Sequence, residues 1–289
     1  MNSSVKSKTV NGFKWGVIDN FANSGVTFVV GLVLARLLLP EEFGVLGIIT
    51  IFINLSITII DGGLATALIR KKDVCELEYN TVFYSNLCVS FLLMLLLLLG
   101  SGAIADFFGQ PILLPTLSVM SLVLLINTLS LIPKTILIKR LDFKSQAIFS
   151  LIASLSSGAV GIIMAYKGFG VWSLVAQQLS RQILMAVGFW YVCHWHPKIM
   201  FSISSFKDLF GFGSKLLVAN LVNSLFKDAF IAVIGKFYST KDLGYYNRAE
   251  QFNAILSSNL GQIVRKVSLP TLSQIQDEDE RLKATFRKL

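Results

Sequence analysis

Charge is what this sequence has least of. Of its 289 residues only 15% are Asp, Glu, Lys or Arg, 54% are hydrophobic, and the mean hydropathy is +0.66. A folded soluble domain of this length cannot hide so much apolar surface, so that class is excluded. Cysteine is scarce too. Cys75, Cys88 and Cys193 show no paired spacing and read as free thiols, which excludes a disulfide framework. The only histidines, His194 and His196, flank Trp195 in "HWHPK", a pattern of interfacial anchoring and not of a metal site. There is no Gly-rich phosphate loop, no Gly-x-Ser-x-Gly and no carboxylate-rich catalytic loop. "GFGSK" at 211–215 lacks the full phosphate-loop spacing and has no soluble strand before it. The sequence therefore reads as a non-enzyme without cofactor or metal. The opening stretch, "MNSSVKSKTVNGFKW", lacks the compact apolar core and small-residue cleavage site of a signal peptide.

What the sequence does have is apolar runs of roughly 20 residues, long enough to cross a bilayer as helices. Run length and loop punctuation place about eight spans, near 12–37, 43–69, 81–104, 112–132, 146–166, 171–193, 209–237 and 243–268. The expected fold class is an all-α polytopic membrane protein. A net charge of +9 would suggest nucleic acid in a soluble chain. Here it follows from cytoplasmic loops collecting Lys and Arg, and nucleic acid is set aside as a partner. Lys6, Lys8 and Lys14 precede the first span; Arg70, Lys71 and Lys72 follow the second; Lys139, Arg140 and Lys144 follow the fourth; Lys198 and Lys207 follow the sixth. The alternate loops are poorer, so the N-terminus and the even-numbered loops are expected inside, with the tail "QDEDERLKATFRKL".

A shift of 200 residues aligns Asn20, Asn23 and Ser24 with Asn220, Asn223 and Ser224, Arg36 with Lys236, Glu42 with Asp242, and Gly44 with Gly244. Six spans separate the copies, so both run in one direction, as in repeats related by an axis along the membrane normal. Residues 1–200 are then expected to form a complete six-helix bundle, and 201–289 the first two helices of a second bundle and a cytoplasmic tail.

A charge at the bilayer centre costs roughly 2.5–3.5 kcal/mol on insertion scales, so deep ionisable residues are the candidate functional ones. Lys14, Arg36, Lys236, Arg265 and Lys266 lie near span ends, where snorkelling explains them. Arg181 falls at the middle of the sixth span, on one helical stripe with Gln177, Gln178 and Gln182. Asp19, Asn20 and Asn23 form a similar stripe on the first. Asp61, Lys215, Lys227, Asp228, Arg248 and Glu250 complete the deep set. Such stripes face protein interior or a water-filled cavity. Arginine cannot shed its charge, so Arg181 needs an anionic ligand in a cavity or a structural ion pair. For Asp19 and Asp61, a cap or ion pair stands beside a proton or cation site. Asn54, Asn86 and Asn127 read as interhelical hydrogen bonders.

The loop motifs carry a resemblance. "GFKW" at 12–15, "LARLLLPEEFGVLGI" at 34–48, "DGGLATALIRKKD" at 61–73, "IPKTILIKRLDFK" at 132–144, "YKGFGVWSLVAQQL" at 166–179, "LGYYNRAEQF" at 243–252 and "SLPTLSQIQDEDERLKATFRK" at 268–288 resemble bacterial polysaccharide transporters. These are the Wzx-type oligosaccharide flippases, in the superfamily that also holds multidrug exporters and the lipid II flippase. The sequence is most similar to the lipopolysaccharide, colanic acid and teichuronic acid branch, over essentially its whole length. The resemblance implies two bundles with twelve or more helices in the bacterial inner membrane. They would move undecaprenyl-diphosphate-linked oligosaccharide between leaflets by alternating access, coupled to protons or sodium and working with other polysaccharide-assembly proteins. Arg181, Lys215, Lys227 and Arg248 would line a cavity for the diphosphate. Gln177, Gln178, Asn220 and Asn223 would meet sugar hydroxyls. Asp19, Asp61, Asp228 and Glu250 are the coupling-ion candidates. Because the chain ends where a ninth helix should begin, it is expected to be C-terminally truncated. The alternatives are a non-transporting fragment or structural membrane subunit, a multidrug or cation exporter of the same superfamily, and a membrane polymerase or ligase.

Overall fold

The computed structural model describes the backbone of residues 3–257 and the side chains of residues 12 and 14–253. Every element among the described residues is helical: α1 (Ser3–Leu37), α2 (Pro40–Asp61), α3 (Leu64–Arg70), α4 (Glu76–Phe108), α5 (Leu113–Met120), α6 (Leu122–Lys139), α7 (Phe143–Tyr166), α8 (Val171–Cys193), α9 (Ile203–Phe237) and α10 (Thr240–Ser257). The rest of the eighth expected span, with Asn259, Arg265, Lys266 and the acidic tail, lies outside the described residues, as do the side chains of Lys6 and Lys8.

Side chains next to the breaks set where helices begin. Pro40 takes the first turn of α2, where its missing N–H costs nothing, and the Glu42 carboxylate accepts the Leu39 N–H at 2.8 Å. Asp142 accepts from the Ser145 N–H at 3.1 Å to start α7, and Ser202 from the Ser205 N–H at 3.2 Å to start α9. The second expected span, 43–69, is divided in the structure. Gly62 and Gly63 adopt left-handed backbone at φ 53° and 71°, ending α2 and turning the chain into the short α3. Lys139 ties α3 down by donating to the Leu68 carbonyl at 3.3 Å, while Lys71 pairs with Glu78. That bond raises the pKa of the exposed Lys71 ammonium.

Among the described residues six helical stretches are long and apolar enough to cross a membrane: Lys14–Leu37, Pro40–Asp61, Glu76–Phe108, Leu113–Lys139, Phe143–Tyr166 and Ile203–Phe237. They correspond to the first five expected spans and the seventh. α8 has the expected ends, 171 and 193, but its Gln/Arg stripe lowers its hydropathy. The described part of α10 is more polar still. The bilayer-length helices expose large apolar side chains such as Leu92, Leu96 and Leu99 of α4, as a lipid-facing surface does.

α7 packs between α1 and α8, α8 continues onto α6, and α6 onto α4. Small residues permit the close approaches: a Cβ on Gly158 would come within 2.6 Å of Val30 on α1. α2 lies at the centre and touches α4, α8, α9 and α10, around a core including the fully buried Ile48, Ile49, Leu117 and Leu124. Pro133 inside α6 removes the N–H that would bond the Leu129 carbonyl. The Trp190 indole of α8 donates to that carbonyl at 2.8 Å, so the helix defect becomes a cross-link between helices.

The 200-residue shift recurs in the elements themselves. α1 and α9 each run 35 residues, from Ser3 and from Ile203, and α2 and α10 start at Pro40 and Thr240. Where Glu42 accepts the Leu39 N–H, Asp242 accepts the Ser239 N–H at 3.3 Å. The contact between the copies is reciprocal. A Cβ on Gly44 would collide with the Thr240 carbonyl oxygen, and one on Gly244 with the Pro40 carbonyl oxygen.

Candidate functional site

The polar stripes of α1 and α8 turn toward each other and toward α10, and three adjoining cavities run between them. The first, about 380 Å³, is lined by Asp19, Asn20 and Asn23 of α1, Lys134 of α6, Gln146 and Ser150 of α7, and Arg181 of α8. The second, about 100 Å³, is walled by α1, α2, α7 and α8 and carries Arg181, Gln177 and Gln178, with Arg248 and Gln251 reaching in from α10. The third, about 270 Å³, holds Asn54, Gln178, Lys227, Asp228, Arg248 and Glu250. Arg181 is common to the first two, and Gln178 and Arg248 to the last two.

Asn23 organises the first cavity. Its amide donates to the Asp19 carboxylate at 2.7 Å and to Ser150 Oγ at 2.8 Å, and its carbonyl accepts from Ser154 Oγ at 2.5 Å. Those bonds fix Asp19 on the wall that carries Arg181, and the Asp19 charge acts on the guanidinium. Arg248 is held differently. Its Cζ lies 3.5 Å from the centre of the Phe43 ring, and its Nη1 donates to Gln251 Oε1 at 2.8 Å. Its Nε is buried and has no hydrogen-bond partner among the described residues. A buried guanidinium donor without an acceptor is costly unless an acceptor arrives.

Among the deep residues picked out by depth, Arg181, Arg248, Gln177, Gln178, Lys227, Asp19, Asp228 and Glu250 line this tract. Lys215, Asn220 and Asn223 lie on exposed faces of α9 and line none of the three cavities. Asp61 is also outside it, at the end of α2, where its carboxylate accepts the Ala65 N–H of α3 at 3.3 Å. Lys134, Phe43 and Gln251 are additions that sequence reading missed. Lys134 was hidden because the apolar run was ended at 132, whereas α6 continues to Lys139. Among the described residues no group of three or more His, Cys, Asp or Glu is placed to hold a metal ion. His194 and His196 sit beside the aromatic rings of Tyr191 and Trp190, at 6.4 and 6.5 Å between centroids. Four basic side chains and three carboxylates share the tract, but the smallest cavity carries both arginines and, among the described residues, no carboxylate, which suits a ligand that presents anionic and hydroxyl oxygens.

The family described as "Polysaccharide biosynthesis protein" matches residues 33–289. The chain is 27% identical to the succinoglycan biosynthesis transport protein ExoT of Rhizobium meliloti, over 97% of this chain and 57% of that protein. It is 25% identical to the lipopolysaccharide biosynthesis protein WzxC of Escherichia coli, over 99% and 58%, and 27% identical to the teichuronic acid biosynthesis protein TuaB of Bacillus subtilis, over 98% and 59%. The chain thus spans less than two thirds of the length of each of these relatives. Among solved structures, the MATE multidrug transporter DinF-BH superposes with a TM-score of 0.62 at 13% identity, over 95% of this chain and 66% of that one. That likeness concerns the fold.

Proposed function

Because the chain belongs to the polysaccharide biosynthesis protein family, and one relative, ExoT, is named a transport protein, we propose that it carries a lipid-linked oligosaccharide across the bacterial inner membrane. The observation that carries this reading is the pair Arg181 and Arg248, brought from separate helices to one cavity inside an apolar bundle. The substrate is an undecaprenyl-diphosphate-linked repeat unit. The two guanidinium groups take its diphosphate through paired N–H donors, which offsets part of the cost of bringing phosphate past hydrocarbon. Gln177, Gln178 and Asn54 meet sugar hydroxyls. Asp19, whose position depends on Asn23, and Asp228 with Glu250 are the sites where a proton or sodium ion couples to the movement.

Residues 1–200 act as one bundle and residues from 201 onward open a second, related by an axis along the membrane normal. The cavity lies between them and opens alternately to either side, with the N-terminus cytoplasmic. No covalent chemistry is involved: the protein moves its ligand and does not transform it. The paired arginines of the smallest cavity, with no carboxylate beside them among the described residues, disfavour a cationic drug there.

Export tests this reading. In cells lacking their own transporter and producing the full chain, Arg181→Ala is expected to lower surface polysaccharide by about 10- to 100-fold, the loss of a charge-assisted hydrogen bond or two. Arg181→Lys, which keeps the charge and loses the fork, is expected to fall between. Normal export by both variants, at equal membrane abundance, would sink the proposal.

A further inference from the structure

We infer that Phe43 is the positioning residue for Arg248, and that the glycine crossing of α2 and α10 delivers this arginine to the site, so that anion binding and closure of that crossing are linked. The inference rests on the reading of the Arg181–Arg248 cavity as an anion site and adds what assembles it.

Arg248 is an outlier among the walls of its cavity. The remainder come mostly from α1, α2, α7 and α8, whereas Arg248 is on α10, which meets the other helices mainly through α2. The two helices touch backbone to backbone near their starts because neither Gly44 nor Gly244 has a side chain, and any Cβ there would collide with the opposite carbonyl. Within one turn of that contact, the Asn247 amide donates to the Phe43 carbonyl at 3.3 Å. The next residue, Arg248, lies over the Phe43 ring at 3.5 Å. The ring is itself buried, with 7% of its residue surface exposed, so it is a fixed platform. On α1, Gly31 leaves room for the guanidinium: a Cβ there would lie 3.3 Å from Arg248 Nη1. An aromatic face attracts the flat side of a guanidinium and leaves its in-plane N–H edge free. That accounts for the placement of Arg248 although its Nε has no partner among the described residues.

The consequence is thermodynamic. If α10 leaves α2, Arg248 leaves Phe43 and Arg181 loses its companion. An anion that bridges both arginines therefore binds the crossed state more tightly, and by linkage it favours the crossing.

The test uses the full chain in lipid nanodiscs with inorganic pyrophosphate as the probe. Phe43→Leu, which keeps bulk and removes the ring, is expected to weaken pyrophosphate binding by about 2- to 30-fold. Phe43→Tyr, which restores a ring face, is expected to bind like the parent, a rescue that a purely space-filling role does not predict. Spin labels at Leu39→Cys and Lys241→Cys, with the native cysteines changed to serine, report the crossing. Pyrophosphate is expected to narrow their distance distribution in the parent and not in Arg248→Ala. Unchanged affinity in Phe43→Leu, or a distribution indifferent to pyrophosphate, overturns the inference while leaving the anion site standing. Failure of the parent to bind pyrophosphate overturns both.

Discussion

Trp190 and Asn23 show how single polar groups hold this bundle together away from its polar tract and within it. Trp190 donates to a carbonyl that Pro133 leaves without a helical partner. Trp190→Phe keeps the ring and removes the donor, so we expect about 0.6–2 kcal/mol of lost stability, read as a lowered unfolding temperature in detergent. No change would mean that lipid-borne water already satisfies Leu129. Residue depth was legible in the sequence: Arg181, Gln177 and Gln178 stand out in an apolar run, and they line the tract. Helix rotation was not. Lys215, Asn220 and Asn223 are deep along α9 by position, yet the structure turns them to an exposed face. Phe43 was illegible for a different reason: an aromatic residue in an apolar helix carries no sign that an arginine two hundred residues away will stack on it.

At the scale of elements, glycine placement separates contacts from open surface. Gly158 on α7 faces Val30 closely, whereas a Cβ on Gly25 of α1 would meet nothing within 4 Å. Gly158→Leu is expected to cost about 1–3 kcal/mol by overpacking the α1–α7 seam. Gly25→Ala is expected to be neutral or to stabilise by up to about 1 kcal/mol, as helix propensity alone acts there. Thermal unfolding of both variants checks the pair, and equal effects would contradict the packing described. Element boundaries were readable at the ends of α8, whereas α2 begins at Pro40, three residues before the expected start at 43. They were lost where hydropathy is continuous. The Gly62–Gly63 turn interrupts an apolar run that looks unbroken, and α6 runs past the apolar stretch to Lys139. Among the described residues the apolarity criterion picks out six of the expected spans; α8 falls outside it because Gln177, Gln178, Arg181 and Gln182 lower its hydropathy.

For the whole molecule, a repeat that is faint in residue identity is plain in geometry. The alignment of Gly44 with Gly244 is one of the few matches that the repeat shows in sequence. In space the two glycines make reciprocal contacts with Thr240 and Pro40, and the polar tract lies just beyond them. This joins the three scales: glycines let α10 meet α2, the meeting sets Arg248 over Phe43, and Arg248 faces the cavity that Arg181 also lines. On the function proposed, this cavity recognises a lipid-borne diphosphate. The most direct test of that recognition is the binding of farnesyl diphosphate against farnesol to the full chain in nanodiscs, for the parent and for Arg181→Ala. Paired charge-assisted bonds are expected to give the parent at least a roughly tenfold preference for the diphosphate, and the variant is expected to lose most of it. A parent that binds the two equally, or a preference untouched by Arg181→Ala, would contradict it.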